Sequence, residues 1–178
     1  MHTKDRMTRL QMETTLAVLG DDRRYLACPN ILQNDSLMTP EIPSLLHELI
    51  DAGRWPRNDT EANAQNLKSL AKPEDIQNLV SDESLLFLLP PPFKTVRVKS
   101  KHNDFWLNPQ ADPEGIDFDL AIDIGGFGLG SDSPILLDYR DSVDQPKLVK
   151  LHWTPYAKDN RWVHLAKSFD EFVSILKL

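Results

Sequence analysis

Three consecutive prolines, Pro90–Pro92, separate two parts of this 178-residue chain that differ in hydrophobic periodicity. Before the prolines, apolar residues recur every three or four positions, which is the period of an amphipathic helix. After them, apolar and polar residues alternate, which is the period of a half-buried strand. Helices followed by strands predict an α+β fold.

The prolines are interpreted as a turn within one domain, because a helical half on its own would have only a thin core. We therefore expect a single α+β domain over residues 1–178. Residues 1–90 are expected to be mostly helical. Residues 91–178 are expected to form one twisted, mostly antiparallel sheet of about five strands, packed by helices and followed by a C-terminal helix.

Four helices are predicted before the prolines, each from an apolar stripe and from the residues at its ends. They span about Asp5–Leu19, Pro40–Gly53, Glu61–Leu70 and Pro73–Val80. Thr39 and Thr60 are the expected caps of the second and third helices, since a threonine hydroxyl accepts a hydrogen bond from an unpaired backbone amide. Pro43 indicates that the regular part of the second helix begins about one turn late.

Five strands and one helix are predicted after the prolines. The strands span 95–99, 118–124, 134–139, 147–153 and 161–166. Ser168 and Glu171 have the spacing of a capping box, which begins a helix by satisfying exposed backbone donors. The apolar stripe of that helix consists of Phe169, Phe172, Val173 and Leu176.

Composition indicates a cytoplasmic protein. The single cysteine, Cys28, excludes an intramolecular disulfide and a cysteine-rich metal site. The longest apolar run, Leu85–Leu89, is far shorter than a membrane span. The first residues lack the apolar segment of a signal peptide. We therefore expect no membrane association.

Acidic residues are concentrated in one part of the sequence. The chain has 27 acidic and 20 basic residues, and the stretch from Asp112 to Asp144 contains nine acids against one base, Arg140. Such a surface repels nucleic acid and membrane headgroups and attracts a basic protein; the other interpretation is a solvated, solubilising face. The candidate partner-binding residues are Asp117, Asp119, Asp123, Asp132, Asp141 and Asp144.

Alternation along the predicted strand 118–124 places Asp117, Asp119 and Asp123 on one face. Carboxylates on one face are suited to binding Mg²⁺ or Ca²⁺ or to acid–base catalysis. They are equally suited to an exposed or partner-binding face. Because no positioned histidine accompanies them, we assign no metal ligand and no catalytic residue. We also expect no cofactor.

The glycine-rich stretch Gly125–Gly130 does not have the spacing of a nucleotide-binding loop, which requires glycines at the first, third and sixth positions before a helix. It is predicted to form a tight turn between two strands. His152 and His164 are expected in strands and could be cross-strand neighbours. No nucleophile motif is present in the sequence.

The C-terminal third resembles the SUKH superfamily, which includes fungal cell-wall regulators of the Smi/Knr type and many bacterial proteins. Three segments carry the resemblance, in the same order along the chain: Gly128–Arg140, a strand ending at Trp153, and Asn160–Phe172. It covers about 60 residues, from near Asp117 to the end. The resemblance implies helices packed on one mostly antiparallel sheet. It also implies a non-enzymatic binding protein, and bacterial members are commonly immunity proteins that neutralise a cognate toxin.

The sequence therefore favours a protein-binding module of the immunity type that binds a basic, nuclease-like toxin through an acidic surface. A first alternative is a metal-dependent hydrolase built on Asp117, Asp119 and Asp123. A second is a regulatory scaffold with the same fold and another protein partner.

Overall fold

The part of the chain that the computed structural model describes comprises residues 40–65, 70–128 and 132–178. Within it, one antiparallel sheet is packed by five helices. The helices are α1 (Ser44–Asp51), α2 (Asp59–Gln65), α3 (Pro73–Leu79), α4 (Val96–Lys99) and α5 (Phe169–Leu176). The strands are β1 (Leu86–Leu88), β2 (Lys94–Thr95), β3 (Ala121–Phe127), β4 (Pro134–Asp138), β5 (Lys147–His152) and β6 (Arg161–Ala166). The predicted α+β class is confirmed, with six strands in place of about five.

The sheet has the order β1-β3-β4-β5-β6, and β2 also pairs with β3. Consecutive strands from β3 to β6 are neighbours, so this half of the sheet is a meander. β1 pairs with residues 125–127 of β3, and β2 pairs with residues 122–123. All described residues belong to one compact unit. The predicted helix Asp5–Leu19, the Thr39 cap and Cys28 lie outside the described residues, as do 66–69 and 129–131.

One face of the sheet packs against α1, α3 and α5. β3 contributes Ile122 and Ile124 to this face, as the alternation along the strand predicts. The largest side chains of this core are Trp55, Tyr139, Phe169 and Phe172. The Tyr139 hydroxyl donates a 2.5 Å hydrogen bond to the carbonyl of Glu41 and so fixes the chain just before α1.

The opposite face of the sheet is covered by residues 96–118, which form α4 and three short 3₁₀ turns. Val96, Trp106, Ile116 and Phe118 pack there with Ala121, Leu136 and Val149 from the sheet. Trp106 stacks on Trp162 with 6.4 Å between the ring centroids. As a result, every residue of β3 is buried, and both faces of the strand are covered.

The predicted strand 95–99 was wrong for most of its length. Only Lys94 and Thr95 are extended, and Val96–Lys99 form a helical turn. The Thr95 hydroxyl caps this turn by accepting a hydrogen bond from the amide of Val98 at 3.4 Å. The alternation of Val96 and Val98 is compatible with a short strand and with one helical turn. The Thr95 cap favours the helical turn.

The predicted strand 118–124 was displaced. It begins at Ala121 and continues through Gly125 and Gly126, which were predicted to lie in a turn. A β-carbon at Gly125 would collide with the carbonyl oxygen of Phe87 in β1 and would lie 3.3 Å from the α-carbon of Leu88. Glycine is therefore needed here for close approach of two strands rather than for a turn. β1 itself was not predicted, because the run Leu85–Leu89 has no alternation.

The helix predictions within the described residues were mostly confirmed. α1 begins after Pro43, as predicted, and Gly53 follows it with a φ angle of +69°. α5 has the predicted buried residues, and α3 buries Ile76 of its apolar stripe while Leu79 is half-buried. The predicted Thr60 cap was wrong, since the Asn58 side chain accepts the hydrogen bond from the amide of Glu61 at 3.0 Å and Thr60 lies within α2.

Candidate functional site

The meander brings most of the candidate acids to one end of the sheet. β3 begins at this end, β4 ends there and β5 begins there, because Ala121 pairs with Asp138 and Asp138 pairs with Lys147. The segments that enter and leave these strands carry Glu114, Asp117, Asp119, Asp141 and Asp144. We call these five residues the acidic end of the sheet.

Asp117 and Asp119 lie in the turn before β3 and not on a strand face. One carboxylate oxygen of Asp117 accepts hydrogen bonds from the amides of Asp119 and Leu120 at 2.9 and 3.3 Å. Short-range bonds of this kind favour a turn over an extended chain, which explains why the strand starts later than predicted. Asp119 forms an ion pair with Arg97 at 3.1 Å, and both side chains are mostly exposed.

Asp123 does not share the surface of the other acids, and its predicted place on an exposed face was wrong. It points to the face of the sheet that residues 96–118 cover, and it is 5% exposed. Its carboxylate forms an ion pair with Lys99 and accepts a hydrogen bond from the amide of Gly125 at 3.2 Å. Burial raises the pKa of Asp123, against the opposing effect of Lys99.

The remaining candidate acids divide between the two ends of the sheet. Asp141 forms an ion pair with Lys147, and the hydrogen bond from Lys147 lowers the pKa of Asp141. Asp144 is exposed and lines a depression with Glu41 and residues of α1. Asp132 lies at the opposite end, after β3, where its carbonyl accepts a 2.6 Å hydrogen bond from the indole of Trp153.

Basic residues that the local charge count did not include lie among these acids. Arg97 comes from α4 and Lys147 comes from β5, whereas Lys99 of α4 pairs with the buried Asp123 away from this surface. Arg140 binds the buried carboxylate of Asp138 through two nitrogens and donates to the carbonyl of Gly115 at 2.9 Å. The acidic end is therefore a mixed surface, more nearly balanced in charge than the sequence between 112 and 144 indicates. No signal in the linear sequence identifies the bridges from Arg97 and Lys99, which join residues 22 and 24 positions apart.

An open groove of about 610 Å³ runs across the acidic end. Its lining includes the apolar side chains of Leu107, Ile116 and Phe118. Leu107 is 59% exposed, whereas Ile116 and Phe118 are buried. The charged rim of the groove consists of Arg97, Glu114, Asp117, Asp119 and Arg140.

The predicted set Asp117, Asp119 and Asp123 does not form one group of carboxylates. Asp119 binds Arg97 and Asp123 binds Lys99, so these two carboxylates already have cationic partners, whereas Asp117 accepts backbone amides. Across residues 40–65, 70–128 and 132–178, no group of three or more histidine, cysteine or acidic side chains is arranged to hold a metal ion. His152 and His164 are not cross-strand neighbours, since they pair with Arg161 and Val149.

No family model matches this chain, and no curated protein or solved structure was found to be similar to it. A search of the described residues for a helix long and apolar enough to cross a membrane found none.

Proposed function

We propose that this chain is a non-catalytic, cytoplasmic protein-binding module that receives a basic protein partner in the groove at the acidic end of the sheet. We further propose that it is a SUKH-like immunity protein and that the partner is a nuclease-like toxin. The observation that carries this proposal is the combination of an exposed apolar side chain, Leu107, with charged, largely exposed residues around it in one open groove.

The composition of the groove is typical of a protein interface. Such interfaces have an apolar centre, where most of the binding free energy arises, surrounded by a polar rim. Leu107 is the apolar side chain that a partner would cover, since Ile116 and Phe118 also line the groove but are already buried in the fold. Burial of the exposed Leu107 side chain by a partner would be favourable, because it removes apolar surface from water.

The ion pairs of the rim are suited to exchange of partners. The side chains of Arg97 and Asp119 are 53% and 64% exposed, and pairs with this exposure contribute at most about 1 kcal/mol to stability. A lysine or arginine of the partner can therefore replace Arg97 at Asp119 with little loss of folding free energy. Asp117 and Glu114 form no ion pair with the described residues and add acceptors beside it.

The resemblance to the SUKH superfamily supports the immunity-type function. It depends on the succession of β4, β5, β6 and α5, together with the segments that join them. A nuclease presents positive surface to nucleic acid, and an acidic inhibitor can occupy that surface with fast electrostatic association. A regulatory protein with the same fold would differ only in the partner that it binds.

The test is co-expression of the full chain with the product of the adjacent upstream gene. We expect the two proteins to co-purify and the chain to relieve the growth inhibition caused by that product. Affinity measured by titration calorimetry should fall steeply between about 50 and about 500 mM salt, because screening weakens the charged rim. Affinity that is independent of salt would contradict the proposed acidic contact.

Charge reversal locates the interface. Asp119→Lys should weaken binding by roughly tenfold or more, because it places like charge at the expected contact. Asp51→Lys is the matched control, since Asp51 is an exposed acid at the end of α1 outside the groove. Equal effects of the two substitutions would show that net charge matters and that the groove does not.

A further inference from the structure

A second cavity, of about 270 Å³, lies between the proline segment and β3. One wall is apolar and consists of Pro90–Pro92 and Phe93. Four charged residues, Asp59, Lys94, Lys99 and Asp123, also line the cavity. We call it the proline pocket. It is separate from the groove at the acidic end and shares none of its lining residues.

The local fold places two lysines on the same side of the sheet as Asp123. Lys94 in β2 stands directly opposite Asp123 in β3. The chain then turns into α4, which returns Lys99 to the same side, where its ammonium binds Asp123. A continuous strand over 95–99 would have carried Lys99 away from this position.

The ion pair between Lys99 and Asp123 places a carboxylate inside the protein beside a half-buried ammonium. Asp123 is 5% exposed and the Lys99 side chain is 27% exposed. Desolvation of a buried carboxylate offsets much of its attraction to the ammonium, so the pair is weak evidence for a purely stabilising role. Small-molecule sites combine a largely apolar lining with a few placed charged or polar groups, and the proline pocket has both.

The pocket has unused hydrogen-bond donors. The ammonium of Lys99 has three N–H groups, and Asp123 accepts one of them. Lys94 is exposed and forms no ion pair with any of the described residues. Asp123 is already compensated by Lys99 and by the amide of Gly125. The cationic groups are therefore the ones left to bind a ligand, while Asp59, an exposed residue of the lining, would repel an anion.

We propose that the proline pocket binds a small carboxylate with an apolar or aromatic body. The ammonium groups of Lys94 and Lys99 take the carboxylate, and the body packs between the proline rings and Phe93. The buried Asp123 holds Lys99 in place and is a positioning residue.

Binding is tested by titration of the full chain followed by nuclear magnetic resonance, with 3-phenylpropanoate and phenethylamine as probes. The two compounds have the same aromatic body and opposite charge. We expect 3-phenylpropanoate to shift the backbone amide signals of Phe93 and Gly125 in a saturable manner. Gly125 is a sensitive reporter because its amide donates to Asp123. Phenethylamine is expected to produce no saturable shift, and equal shifts from both probes would overturn the proposal.

Substitutions at exposed positions test the assignment without endangering the fold. Lys94→Gln should weaken binding of 3-phenylpropanoate by about threefold, because it removes a charge that attracts the carboxylate. Asp59→Asn should strengthen binding by about twofold, because it removes a charge that repels the carboxylate. Both effects are small because the two sites are partly screened by solvent. Lys101→Gln and Glu74→Gln are the matched controls, since both residues are exposed and outside the pocket. Lys99→Met, where it folds, should weaken binding by roughly tenfold. Affinities unchanged by Lys94→Gln and Asp59→Asn would overturn the proposal even if Lys99→Met does not fold.

Discussion

Ser168 begins α5 with one side-chain hydrogen bond, in which its hydroxyl accepts from the amide of Glu171 at 3.2 Å. The Glu171 carboxylate accepts from the amide of Lys167 at 2.6 Å, one residue before the donor that the capping box predicts. We expect Ser168→Ala to lower the free energy of unfolding by about 0.5–2 kcal/mol, because an amide loses its acceptor. The measurement is urea denaturation. Ser174→Ala, an exposed site within the same helix, should be neutral or slightly stabilising.

Glu83 has a carboxyl group whose pKa is raised because burial disfavours its charge. A group with a raised pKa in the folded state contributes stability below its unfolded pKa, and this contribution is lost as pH rises through the folded pKa. We therefore expect Glu83→Gln to be more stable than the wild type at neutral pH, with the difference vanishing towards acidic pH. Thermal melts across this range test the sign. Glu48→Gln, an exposed site in α1, should have little effect throughout, and a stability loss at neutral pH for Glu83→Gln would contradict the expected sign.

Residue-level signals in the sequence have a short range. A cap and the amide that it binds are two to four positions apart, so Ser168 could be identified as a cap from its neighbours. Asp123 and Lys99 are 24 positions apart, and their contact depends on the turn of α4 and on the β2–β3 register. The burial of Asp123 could not be predicted from the sequence. Residues 96–118 cover it, and nothing in their sequence indicates which face of the sheet they pack against.

Among the elements, β1 depends most directly on a single residue of its neighbour. Gly125 allows the backbone of β1 to approach β3 so closely that no β-carbon fits. We expect Gly125→Ala to lower the free energy of unfolding by about 1–3 kcal/mol, the usual range for overpacking. Loss of hydrogen-exchange protection should be concentrated in Leu86–Leu88. Gly53→Ala is the control, because its open surroundings leave only backbone strain and β1 should keep its protection.

Phe172 anchors α5 on the sheet and is fully buried against Phe169. We expect Phe172→Ala to lower the free energy of unfolding by about 3–5 kcal/mol, because it leaves a cavity. Binding of the proposed partner by the remaining folded protein should be unchanged, since Phe172 lies outside the groove. A variant with an unchanged melting temperature and no binding would place the interface on α5 instead.

The elements that were predicted well are those whose hydrophobic pattern is compatible with only one type of secondary structure. β4, β5, β6 and α5 combine alternation or a helical stripe with clear boundaries, and the structure places them within one or two residues of the prediction. β1 lies in an unbroken apolar run, and β2 is only two residues long, so neither has a period to detect. β3 was displaced because a local Asp117 turn and close strand contact at Gly125 override the alternation.

At the scale of the whole molecule, the six candidate acids occupy three different environments. Asp117, Asp119, Asp141 and Asp144 lie at one end of the sheet, Asp132 lies at the other, and Asp123 is inside. The charge count identified the acidic stretch from Asp112 to Asp144 but not where its residues lie in the fold. Their positions follow from the directions of β3, β4 and β5. Asp132→Lys should therefore weaken binding of the proposed partner less than Asp119→Lys does, as measured by calorimetry at low salt.

The pairing order of the meander has a consequence for how the chain reaches its native state. From β3 to β6 each strand pairs with the next, so only short loops must close and little chain entropy is lost in forming each pair. β1 must instead close a much longer loop to reach β3. We expect pulsed deuterium labelling during refolding to show protection of β3–β6 before that of β1. Simultaneous protection of both regions would indicate one cooperative step that includes β1.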